Sequence, residues 1–159
     1  MIQNFDAQLQ VALRALQDVV APALGGAEKH VVEQLMIAVG TLAFVKTRLP
    51  EARRYYRMEL RGWISLAKEA SAVAGESEAM ALAIDLGEDT LGDPEADIAE
   101  FEAVSRRLSD EITALASAAN GSLDALILAR SAERIGQCRL WCAPFGFEQQ
   151  PETLPDPAW

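Results

Sequence analysis

Histidine, cysteine and basic residues are scarce in this chain. One histidine and two cysteines stand among 159 residues, and 14 Lys and Arg face 24 Asp and Glu. Each shortage closes off a class of function. A carboxylate-bridged di-iron bundle needs Glu-x-x-His twice. Here His30 is alone, and Glu33 follows it rather than preceding it, so His30 reads as a surface or helix-start residue. A zinc or iron site wants about four ligands. Cys138 and Cys142 with His30 fall short of that, and their spacing differs from the redox Cys-x-x-Cys motif. The net charge of −10 argues against nucleic acid and against anionic membrane surfaces.

Long apolar runs are also missing. The richest is "LMIAVGTLAFV", Leu35 to Val45, which covers about half of a bilayer core. No membrane span is expected. Instead this helix, apolar all round, is expected at the centre of a bundle. Gly40 within it costs about 1 kcal/mol relative to Ala, and close approach of a neighbouring helix is the expected compensation. The opening "MIQNFDAQLQ" has neither a basic n-region nor an apolar h-region. With so few cysteines, a cytoplasmic location is expected. There is no Gly-x-Ser-x-Gly and no phosphate loop. No catalytic residue, metal ligand or cofactor is assigned.

What is present is helical periodicity. Phe5, Leu9, Ala12, Leu13, Leu16, Val19 and Val20 recur at steps of three and four, with Asn4 as N-cap and Pro22 and Gly25-Gly26 at the end. A second helix runs from Ala27 to Leu49. Pro50 breaks or kinks the chain. A third helix, Pro50 to Ala74, buries Tyr56, Leu60, Trp63, Ile64, Ala67 and Ala70. Met80, Ala83, Ile84 and Leu86 support a short helix or an extension of the third, followed by an acidic loop. Asp93-Pro94-Glu95 is a helix start. The fourth helix then carries Ile98, Phe101, Val104, Leu108, Ile112, Leu115 and Ala119 to Asn120-Gly121. A fifth, capped by Ser122, carries Leu123, Leu126, Leu128, Ala132, Ile135, Cys138 and Cys142, which places both cysteines in the core. The spacing predicts an all-α, antiparallel up-and-down bundle of four main helices plus a shorter one over residues 1–144. Residues 145–159 form an extended tail rich in Pro and aromatics.

Two features bear on function. "KTRLPEARRYYRMELR", Lys46 to Arg61, carries six basic and two acidic residues. Arg53, Arg57 and Arg61 share one helix face. They can hold a phosphate or carboxylate through guanidinium forks, with Tyr56 and Trp63 as apolar contacts. Alternatively the ridge faces the acidic segment Glu76–Glu102, which contains no Lys or Arg. The second feature is the tail. Its prolines favour extended geometry, and Phe145, Phe147 and Trp159 seek burial, on their own bundle or on a second subunit.

The segment "LARSAERIGQCRLWCAP" is an Ala/Arg-rich helix followed by proline. With four long helices under an acidic balance, it resembles in outline the helical C-terminal domain of acyl-CoA dehydrogenases, over Phe5 to Pro144. The resemblance implies a helical bundle and a link to acyl-CoA metabolism. The middle strand domain and flavin-binding face of that family have no counterpart here, and no family site residue is carried over. Three functions follow. The leading expectation is a non-catalytic interaction or accessory protein, self-associating as a homodimer or binding a protein partner. The second is a bundle that binds a small anionic or acyl ligand. The third is a metal-dependent enzyme using His30, Cys138, Cys142 or nearby acids.

Overall fold

Side-chain caps set where three helices begin. Asn4 Oδ1 accepts the Asp6 N–H at 2.9 Å, and Ser77 Oγ accepts the Met80 N–H at 3.1 Å. Asp97 Oδ1 accepts the Glu100 N–H at 2.9 Å, while the Glu100 carboxylate accepts the Asp97 N–H at 2.7 Å. This reciprocal capping box satisfies two otherwise orphaned donors. The computed structural model describes residues 4–75 and 77–159. Met1–Gln3 of the opening segment and Glu76 of the acidic segment lie outside the described residues.

The described chain is all-α, with no strand among the described residues. It comprises α1 (Phe5–Arg14), α2 (Ala21–Ala23), α3 (Lys29–Arg48), α4 (Ala52–Ala74), α5 (Glu78–Gly92), α6 (Ile98–Ala118) and α7 (Asp124–Cys142). A 3-10 turn over Leu49–Glu51 surrounds Pro50, as a residue without an N–H requires. Asn120 and Gly121 both take positive φ, 48° and 86°, ending α6 where the Asn-Gly pair foretells it.

The chain divides into two compact units. One comprises residues up to Pro50 with Arg139–Thr153. The other comprises Glu51–Cys138 with Leu154–Trp159. The second unit holds a helical bundle of α4, α5 and α6 around one apolar core. Leu60, Ile64, Ala67, Met80, Phe101 and Leu108 are central to it, with Tyr56 and Trp63 packed at its edge. These belong to the stripes read from the sequence of the third helix, of the short helix after it (Met80) and of the fourth helix.

Several expectations are corrected. The fourth helix starts at Ile98, not at Asp93, because Asp97 and Glu100 form the stronger cap. Asp93 instead accepts the Glu95 N–H at 2.8 Å in the preceding turn. The expected acidic loop is helical as far as Gly92. In the first unit, the turns over Ala15–Val20 are π-helical. Their wider winding takes Val19 and Val20 out of line with Leu13, and both valines are exposed.

The apolar helix α3 does not occupy the centre of a bundle. Val39 is its one buried residue, while Met36 and Ile37 are 61% and 58% exposed. A Cβ at Gly40 would meet nothing within 4 Å, so the expected close helix is not there. Of the stripe expected to be buried on the fifth helix, Leu123 is buried just before α7 and Leu126 packs against the core, but the remainder faces outward. Leu128, Ala132, Ile135, Cys138 and Cys142 are all exposed. Within the second unit, Ile127 packs against the core beside Leu126, and Arg130 and Arg134 reach α4 through ion pairs described below.

Candidate functional site

The basic ridge meets the segment after α5, but through backbone rather than carboxylates. Arg53 Nε donates to the Ala96 carbonyl at 3.2 Å and its Nη2 to the Pro94 carbonyl at 2.7 Å. Arg57 Nη2 donates to the Leu91 carbonyl at 2.8 Å. Helix ends leave carbonyls without intrahelical partners, and two guanidiniums satisfy those at the end of α5 and in the turn after it. Arg53 also lies 5.5 Å from the Phe101 ring centre. Arg61 is exposed. Tyr56 is half-buried, and its hydroxyl pKa is raised, by burial first and then by the Glu102 carboxylate beside it. Two of the three expected anion anchors are therefore engaged in holding the turn into α6.

Sequence reasoning missed α7 as the better-placed source of guanidiniums. Arg130 bonds both oxygens of Glu69 on α4, at 3.1 and 2.8 Å. This fork lowers the Glu69 pKa. One turn on, Arg134 bonds Glu59 at 3.0 Å and stacks 3.7 Å from the Trp63 ring centre. Arg130 and Arg134 stand four apart on α7, whereas their partners Glu69 and Glu59 stand ten apart on α4. No matched spacing in the sequence signals the pairing.

Trp63 and Arg134 border a cleft of about 410 Å³. Ser109, Thr113 and Ser117 line it at successive turns of α6. The Thr113 and Ser117 hydroxyls donate back to the carbonyls of Ser109 and Thr113, both at 2.8 Å, so they turn lone pairs rather than protons to a visitor. Arg134 Nε is buried and has no acceptor, which marks a donor lacking its partner.

The tail aromatics separate. Phe145 stacks on Phe44 with ring centres 4.2 Å apart. Trp159 meets Tyr55 edge-on at 5.5 Å, and its indole N–H donates to Glu51 at 3.2 Å. Both contacts are made within the same chain. Phe147 is 83% exposed. Arg139 clamps the segment between them, donating to both Glu148 oxygens at 3.0 and 2.8 Å. Arg139, with help from the Gln150 N–H, holds the Glu148 pKa at about 2.

His30 sits at the start of α3, with Nδ1 3.2 Å from a Glu28 oxygen and most of its side chain in water. Among the described residues, no group of three or more His, Cys, Asp and Glu side chains is placed to hold a metal ion. No helix among them is long and apolar enough to cross a membrane.

An uncovered apolar face lies in the first unit. From Gln34 to Val45 no charged residue interrupts α3. Gln34, Ile37, Ala38, Thr41 and Val45 are all exposed, and helical spacing puts them on one side. Thr41 donates its hydroxyl to the Ile37 carbonyl at 2.9 Å, so it asks no hydrogen bond of a partner. Phe5 and Val11 of α1 are exposed as well. Compared with known proteins, the chain matches no family model, no curated protein and no solved structure.

Proposed function

We propose that this protein is a non-catalytic, self-associating interaction module whose contact surface is the exposed face of α3. One observation carries the reading. Gln34–Val45 is uncharged over about three turns of helix, yet Val39 is its one buried residue. Soluble monomers rarely leave contiguous apolar surface of that kind in water. Covering one Ile or Met fully contributes about 1.5–3 kcal/mol.

Charge favours a second copy as the occupant. Residues 4–50 carry four acids (Asp6, Asp18, Glu28, Glu33) and four bases (Arg14, Lys29, Lys46, Arg48). The chain's net −10 is therefore carried outside this stretch. Two copies repel least where their surfaces are neutral, and an isologous contact needs nothing but the same patch twice.

The test is sedimentation equilibrium over a concentration series, with Ile37→Lys beside the wild type. The wild type is expected to dimerise. The isologous contact loses the Ile37 burial on both copies, about 3–6 kcal/mol, which raises the dimer Kd about 100-fold or more, while far-UV circular dichroism stays unchanged. A wild type that is monomeric throughout, or an Ile37→Lys variant that dimerises equally well, overturns the reading.

A second reading is favoured by Arg134. The Arg134 guanidinium charge at the edge of the cleft suits a small carboxylate or acyl anion, with Trp63 supplying an apolar wall. Its volume lies within the range of small-molecule sites. In this reading the anchor is Arg134 of α7 rather than Arg53 or Arg57.

A further inference from the structure

Leu154–Trp159, "LPDPAW", runs without regular structure along α4 and α7 of the second unit. It is read at three points. Gln137 takes its backbone twice: the side-chain amide donates to the Asp156 carbonyl and its oxygen accepts the Ala158 N–H, both at 3.1 Å. Pro155 lies over Gly136, where a Cβ would stand 3.5 Å from the proline ring. At the end, Trp159 meets the buried Tyr55 and bonds Glu51. Beside Pro155 a cleft of about 500 Å³, bounded by Met58, Gly62 and Ala132, remains open.

This is the anatomy of peptide recognition. A side-chain amide that both donates to and accepts from an extended backbone holds it at residues two apart, and pockets at the flanks select side chains. Pro155 and Pro157 keep the segment extended beforehand, so ordering it costs little entropy. A tethered segment has an effective concentration in the millimolar range. The resident tail thus masks the groove from outside peptides.

We propose that this surface is a groove for an extended Pro-x-Pro-x-Trp segment, and that its occupant in trans is the tail of a second copy. Every contact made within the chain can be remade between two chains, which is the condition for exchange at low cost. This groove is distinct from the α3 face and does not depend on it.

The experiment uses fluorescein-labelled peptide of residues 150–159, "QPETLPDPAW", and fluorescence anisotropy on full-length protein. Trp159→Ala loosens the resident tail. The peptide is expected to bind this variant about tenfold or more tightly than wild type, as the intramolecular competitor weakens. Adding Gln137→Ala should cancel the gain. A peptide whose final Trp is Ala should fail on the Trp159→Ala protein, a comparison that no folding defect can mimic. Absence of binding to Trp159→Ala at millimolar protein, or equal binding to all three proteins, overturns the proposal. Repeating the titration in the Ile37→Lys background separates the two surfaces: binding there stands whether or not α3 mediates dimerisation.

Discussion

Gly87 lies inside α5, and a methyl group placed on it has no room. Its Cβ would fall 2.8 Å from Ile64 Cγ1 and 2.9 Å from Cδ1, with Leu108 Cδ1 at 3.5 Å. Ile64 is 6% exposed and sits in the core with Leu60 and Phe101, so it has little freedom to withdraw. Gly62 inside α4 is the control, because its Cβ would meet nothing within 4 Å. Ala in place of Gly in a helix interior gains about 0.5–1 kcal/mol. Gly62→Ala should be stabilised by that amount. Gly87→Ala gains the same term but meets overpacking of about 1–3 kcal/mol. The helix term cancels between the two variants, leaving a gap of about 1–3 kcal/mol set by the contact with Ile64. Urea unfolding followed by far-UV circular dichroism reads it as a difference in midpoint. Shortening Ile64 to Val removes Cδ1 and should recover part of the loss in Gly87→Ala. Equal stabilisation by both alanines would refute the steric reasoning.

Two further outcomes are expected. The Glu148 side-chain carboxyl should titrate near 2 by carbon NMR, and Arg139→Gln should move its midpoint up towards the ordinary value of 4.5. A carboxyl held low in the folded state contributes stability above its unfolded pKa and loses it as pH falls through the folded one, so this contribution fades between about 4.5 and 2. An unshifted wild-type midpoint would mean the Arg139 fork is not populated. For the cleft, calorimetry with benzoate should show weak binding that Arg134→Lys reduces about tenfold, since Lys keeps the charge but loses the planar stack on Trp63. Equal heats from both proteins would remove Arg134 as an anchor.

The core of the second unit was legible because its helices obey one rule. Leu60, Ile64 and Ala67 on α4, and Phe101, Val104 and Leu108 on α6, mark apolar stripes that become buried faces. The helix-ending Asn120-Gly121 was legible for the same local reason. On α7 the rule misled. Leu126 and Ile127 touch the core, but Leu128, Ile135 and both cysteines face water, and Arg130 and Arg134 turn inward to partners Glu69 and Glu59, 61 and 75 residues away. Periodicity ranks Arg as a surface residue and carries no record of a partner that distant. On α3 the reading of the helix was sound but its destination was not. An all-round apolar helix reads as a buried one, and periodicity does not record that Met36 and Ile37 stay exposed. At the ridge, Arg53 and Arg57 were visible, but their acceptors are backbone carbonyls, which every residue possesses and no motif records.

The uneven placement of charge makes the chain an asymmetric polyelectrolyte. Residues 4–50 are balanced, whereas Glu78–Glu102 contains acids and no compensating cation. Mobile ions act on these stretches differently. At about 0.15 M salt the screening length is about 8 Å, enough to quiet repulsion among surface carboxylates but irrelevant to a neutral apolar face. Salt therefore relaxes the acidic stretch but leaves an apolar face such as that of α3 unaffected, and strongly excluded anions such as sulfate favour covering such a face. One chain thus contains a part that answers to ionic strength and a part that answers to the cohesion of water.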